Sequence, residues 1–260
     1  MILRRLSQSL KEQNWTAIWI EFILLVAGVF LGIQVANWNE DRANQKLAKI
    51  LTERLRTDLK IEAWSYEFQI QYYQEVLSNA EKTLEVLEGI SKDSNEQFLI
   101  SAYRATQYNL PTRRRATYDE MTSTGTISLI NNQQLRQTAS LIYTNPVLDT
   151  ANNETLGSRY RAAFRMYVPM NVQSAIADQC GDKFVTIGNF KELKGSIDYP
   201  CSIGLAQEAI DNAANILRTD ASIVPLLRFR IADIKTIISN WTGTNQDSRN
   251  SLKAIVGDKP

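Results

Sequence analysis

Residues 15–38 read WTAIWIEFILLVAGVFLGIQVANW. From Thr16 to Ala36 only Thr16, Glu21 and Gln34 interrupt an apolar run. About 21 helical residues rise roughly 32 Å, close to the ~30 Å hydrocarbon thickness of a bilayer. Trp15 and Trp19 at one end and Trp38 at the other stand where indole rings anchor at the two interfaces. The stretch is therefore expected to be a transmembrane helix over residues 15–38, preceded by a basic segment at 1–14. A cleaved signal fits less well, because the run exceeds the usual length and Gln34-Val35-Ala36 offers no small-x-small cleavage site. The reading is an uncleaved signal anchor.

Its orientation is nearly tied by charge. Arg4, Arg5 and Lys11 precede the span, and Arg42, Lys46 and Lys49 follow it. The two cysteines decide. Cys180 and Cys201 bracket CGDKFVTIGNFKELKGSIDYPC, a stretch with no helical apolar period. A disulfide stapling this excursion contributes roughly 3 kcal/mol on the loop-entropy model, and it belongs in an oxidising compartment. Two unrelated buried thiols are the alternative. The expectation is a cytoplasmic N-terminus and a periplasmic domain at residues 39–260.

Within the span, Glu21, Leu25, Gly28, Gly32 and Ala36 fall on one face at 100° per residue. Small residues there admit a second helix at close range, and Glu21 on the same stripe would lie between helices. Snorkelling of Glu21 toward the Trp19 end, with glycines that merely occur in a span, accounts for the same residues without a partner. Gln34, the other intramembrane polar residue, lies off that face.

The remaining chain reads as mainly α. Residues 39–88 contain neither Pro nor Gly. Leu47, Leu51, Leu55 and Leu59, then Phe68, Tyr72, Val76, Ala80, Leu84 and Leu87, recur at helical spacing. The spacing predicts one long helix leaving the membrane, with Gly89 as C-cap and Asp93 or Ser94 capping the next. Further helices are expected before Pro111, through Tyr118 and Met121, over Gln133–Tyr143, and over Thr150–Tyr167 with Leu156, Tyr160, Ala163, Phe164 and Tyr167 inward. Two more are expected in GLAQEAIDNAANILR and in DASIVPLLRFRIADIKTIISNW. The last would start at Asp220 as N-cap. Leu226, Leu227, Phe229, Ile234, Ile237, Ile238 and Trp241 would form its apolar face, packed antiparallel on the long helix.

Three segments resemble a bacterial family of uncharacterised single-span proteins. They are GVFLGIQVANWNEDR at Gly28–Arg42, TYDEMTSTGTISLINNQQLR at Thr117–Arg136, and ASIVPLLRFRIADI near the C-terminus. The resemblance implies a bacterial inner-membrane protein and transfers no activity. Asn37, Trp38, Asn39 and Glu40 form its interface motif. They are read as interfacial anchoring or, in an oligomer, as a polar collar for a partner.

Catalytic chemistry has little footing. The chain has no histidine, which excludes His-based triads and His-ligated metals, and two cysteines are too few for a usual zinc site. No P-loop, GxGxxG, GxSxG, HExxH or EF-hand loop occurs. A net charge of +1 gives no bulk attraction to nucleic acid. Arg113, Arg114 and Arg115 form the one candidate anion site, with Asp119 and Glu120 available to neutralise it. Asp58 and Glu62 read as ordinary charges of an exposed helix side, and Trp64, Tyr66, Phe68, Tyr72 and Tyr73 as bundle core. No cofactor or metal is expected. The partners expected are the lipid bilayer, a second copy of the chain through the span and exit helix, and a membrane-protein partner. The function read from this is a non-enzymatic homo-oligomeric scaffold, accessory subunit or periplasmic sensor. The alternatives are a small oligomeric channel lined by Glu21 or Gln34, and a histidine-free envelope enzyme.

Overall fold

In the computed structural model, which describes residues 15–146 and 157–257, helix α1 runs unbroken from Trp15 to Leu87. No Pro or Gly follows Gly32 until Gly89, so nothing interrupts the backbone ladder of a rod roughly 110 Å long. The rod ends as expected. Gly89 adopts φ 74°, Ile90 N–H bonds Glu85 O at 2.8 Å and Gly89 N–H bonds Val86 O at 3.2 Å, which is a Schellman termination.

Eight shorter helices follow among the described residues: α2 (Asn95–Arg104), α3 (Ala116–Ser123), α4 (Gln133–Thr144), α5 (Arg159–Tyr167), α6 (Met170–Cys180), α7 (Gln207–Thr219), α8 (Ile223–Ser239) and α9 (Gln246–Gly257). No strand occurs among those residues. The mainly α expectation is met, including the long apolar first helix and the Cys180–Cys201 disulfide. Ser94, Asn132 and Ser158 cap α2, α4 and α5 by accepting from Gln97, Leu135 and Arg161 N–H respectively.

The apolar stripe of α1 serves two adjoining cores. The first gathers Leu51, Leu55, Leu59, Tyr66 and Tyr73 with Met121, Leu135, Ile142, Trp241 and Leu252. The second gathers Ala80 and Val86 with Phe98, Leu99, Tyr160, Phe164, Ile176, Ile210 and Leu227. Leu77 packs against both. Helix α8 begins in the second core at Ile223 and Leu227 and ends in the first at Ile234 and Ile237, so it runs antiparallel to α1. All five aromatics from Trp64 to Tyr73 are core residues, as read, and Tyr73 meets Trp241 edge-on at 5.4 Å.

Several local expectations change. Asp220 does not cap α8. It closes α7 and accepts a hydrogen bond from Ser222 N–H at 2.8 Å, and the helix begins at Ile223. Phe229 is 56 % exposed, and the buried face of α8 instead carries Arg230 between Leu227 and Ile234. Pro169 ends α5 but also opens α6, where its missing N–H costs nothing. Tyr167 is exposed, whereas Tyr160, Ala163 and Phe164 are inward. The first part of the predicted Thr150–Tyr167 helix, with Leu156, lies outside the described residues. A further helix, α9, packs on α1 beyond the predicted last one.

Candidate functional site

The predicted helix-packing face is open along its whole length. No residue from 15 to 50 is buried. A Cβ built on Gly28 or Gly32 meets nothing within 4 Å, so nothing in the chain itself requires glycine at either position. Ala36 and Gln34 are exposed. Glu21 is half-buried, and its Oε2 has no hydrogen-bond partner among the described residues. At 100° per residue the same face continues past the apolar segment through Ala43, Leu47 and Ile50. Leu47 is 39 % and Ile50 58 % exposed, although the helical domain already stands on another side of the rod. Asn37, Trp38, Asn39 and Glu40 are all exposed, and the Arg42 guanidinium lies over the Trp38 ring 4.5 Å from its centre.

The arginine triplet does not act as one three-cation cluster, because Glu62 holds Arg113 and Asp119 holds Arg115. Far from lying on an exposed side, Glu62 is 1 % exposed. It shares the core face with Leu55, Leu59 and Tyr66, at i, i+4, i+7 and i+11. Its carboxylate accepts from Arg113 Nε at 2.9 Å and from Arg114 N–H at 2.5 Å. Arg113 also donates to Ile142 O at 3.0 Å. Arg115 forms a bidentate pair with Asp119, at 2.9 and 3.1 Å, and Glu120 pairs with Arg54. Two of the three cations are thus already matched by this chain's carboxylates.

The cysteine-bracketed excursion is folded as a strap across α1. The disulfide closes its base, and polar groups of α1 and α2 hold the rest. Tyr72 donates to Asp182 Oδ2 at 2.7 Å. Glu75 accepts from the N–H groups of Gly195, Ile197 and Asp198 at 2.6, 3.1 and 3.1 Å. Glu96 accepts from Ile203 N–H at 2.7 Å, and Arg104 donates to Tyr199 O at 2.8 Å. Irregular backbone needs such partners wherever it is covered. Although Asp182 as a residue remains exposed, desolvation of its inward-turned carboxyl raises its pKa despite the Tyr72 hydrogen bond and the charges of Arg161 and Arg104.

Two more arginines, Arg230 buried and Arg161 half-buried, serve the segment after α2. Arg230 donates to Ala105 O and Gln107 O, and Arg161 to Thr106 O. Guanidinium groups here complement the carbonyl-rich end of a helix. Sequence reasoning passed over Glu75, Glu96, Arg104, Arg161 and Arg230. The legible signal was a charge at a core position of a helical period, as with Arg230 in the 227, 230, 231, 234 series. Among the described residues, no cluster of His, Cys, Asp or Glu could hold a metal.

The profile of a family of unknown function, DUF6090, matches residues 21–187. The chain belongs to DUF6090. The match includes the Asn37–Glu40 string, the arginine triplet and Cys180, and it stops before Cys201 and the C-terminal segment quoted above. No curated protein and no solved structure matches the chain. DUF6090 membership therefore supports the resemblance in its broad form and assigns no activity.

Proposed function

We propose that this DUF6090 protein is a single-span anchored scaffold, accessory subunit or sensor of the bacterial inner membrane, and that it acts by binding rather than by catalysis. One observation carries the reading: a helix of 73 residues has an apolar N-terminal part that its own domain leaves bare and a C-terminal part that is the spine of the domain core. An 18-residue window of the bare part has a mean hydropathy of 2.3. Bare apolar surface on that scale needs lipid or another chain around it. The disulfide supports placing the domain on the periplasmic side and the N-terminus inside. The open glycine face, continued by Leu47 and Ile50, supports a homo-oligomer paired through α1.

Two measurements test this. Cysteine labelling in intact cells should find Cys180 and Cys201 protected until reductant is added; freely reactive thiols would place the domain in the cytoplasm. Membrane cross-linking should trap oligomers that Gly28→Leu and Gly32→Leu lose, with bundle stability unchanged. Oligomers that persist in both variants would remove the glycine face from the interface.

A further inference from the structure

One cleft, where the strap faces the segment before the arginine triplet, joins exposed apolar side chains to cations with no matching acid. Its floor is Trp64 and Phe68 of α1, stacked at 5.0 Å and within 8° of parallel. The Trp64 indole N–H is tied to Asn189 O at 3.0 Å, which fixes the ring. One lip is Leu110 and Pro111, in the segment between α2 and α3; the other is the strap, through Phe184 and Ile187. Phe184 is 90 % exposed, and Leu110 and Ile187 are also open to water. The cleft is half open, and its volume of about 270 Å³ is just below the range of ligand pockets, roughly 300–1,000 Å³.

Each lip brings one cation. Arg114 sits beyond Pro111, with its backbone fixed on both sides: its N–H bonds Glu62 and its carbonyl accepts from the Tyr143 hydroxyl at 2.8 Å. Unlike Arg113 and Arg115, it has no ion pair among the described residues. Lys183, next to Phe184, lines the cleft with its stem while its Nζ rests 3.6 Å from the centre of the Tyr199 ring, outside the lining, so a bound anion draws the ammonium off that ring. No acidic residue lines the cleft.

We infer that this cleft binds a small amphipathic monoanion, a carboxylate carried on an apolar ring or short chain. The apolar part lies on Trp64 and Phe68 and is covered by the exposed lips, which burial favours. The carboxylate accepts from Arg114 and Lys183. A single carboxylate has two oxygens, one for each cation, and its one charge is the least costly to bring against a mainly apolar lining. A polyphosphate would need more donors, and a cation would meet only like charge.

The test uses the full chain in nanodiscs of zwitterionic lipid, with 2-naphthoate titrated by calorimetry against 2-naphthamide and against empty nanodiscs. Naphthoate is expected to saturate one site per chain. The neutral amide should bind at least about tenfold more weakly, and Arg114→Gln/Lys183→Gln should lose about tenfold in naphthoate affinity. Phe184→Ala should weaken both ligands. These three residues are on the surface, so unchanged circular dichroism is expected in each variant. Equal affinity for acid and amide, an unaltered double variant, or heat no greater than that of empty nanodiscs would overturn the assignment.

Discussion

The two halves of α1 have the same backbone and opposite surroundings. From Trp15 to Ile50 the helix buries nothing; from Leu51 to Val86 it presents a continuous buried face to two cores. The difference lies in patterning. The first part is apolar on every side as far as Ala36 and then mostly polar to Lys49, so neither stretch offers the single broad apolar face that would direct a domain to it. The second confines its apolar residues to a stripe, and α8, α9 and α2 gather there. A helix can therefore be continuous in geometry yet divided in role, with the buried half beginning where a one-sided apolar stripe starts at Leu51.

Substitutions along the helix sharpen that contrast. The largest effect is expected at Glu62, the one acid on the buried stripe that pairs with Arg113. Arg113→Ala removes a side-chain partner from a carboxylate sealed in the core and should cost roughly 3–5 kcal/mol of bundle stability, read from denaturant unfolding. Arg113→Leu/Glu62→Leu should lose less than Arg113→Ala, because no orphan charge remains. Equal losses would mean that the pair contributes specific attraction beyond mutual neutralisation.

The next expected effect compares identical chemistry on the two halves. Leu55→Ala opens a cavity in the first core and should cost about 3 kcal/mol. Leu31→Ala, on the bare half, should leave the unfolding midpoint unchanged in detergent. A matching loss at Leu31 would break the division of α1 proposed above.

The smallest effect is alkaline. Burial pushes the Tyr66 hydroxyl up to about 12, with Arg249 opposing and Glu67 adding to the rise. Tyr72, Tyr143 and Tyr160 shift in the same direction, chiefly by burial. A pKa raised by folding means that the folded state holds the proton more tightly. This contribution is fully present below the free tyrosine value near 10 and is lost as pH rises through the folded values. Urea midpoints should therefore fall from about pH 10 to 12, and Tyr66→Phe should make that fall shallower. A flat profile would show these hydroxyls to be solvated.

Much of this fold was legible because helical period and punctuation agree. The leucines from 51 to 59, Gly89, Ser94 and the prolines each give a local instruction that tertiary packing leaves in force. The errors share one cause. Glu62, Glu75, Arg104 and Arg230 look like surface charges by polarity alone, but their positions in the helical period turn them inward. Their partners lie 51–123 residues away, for Glu62 with Arg113, Glu75 with Asp198, Arg104 with Tyr199 and Arg230 with Gln107. Such pairings are set by topology, which local pattern does not encode. The glycine face was read on its own residues, but its continuation through Leu47 and Ile50 required knowing which side the domain takes. The cleft at Trp64 was invisible because its two lips come from segments about 75 residues apart, joined only by the strap crossing α1.

The unbroken helix also fixes a distance. On the proposed placement of Trp38 at the lipid interface, Trp64 would stand 26 residues further along the helix, roughly 39 Å out. At physiological ionic strength that is about five Debye lengths. An anionic leaflet's surface potential would be extinguished at that height, so on the proposed placement anions would reach the Arg114 and Lys183 lips at their bulk concentration, whatever headgroups lie below.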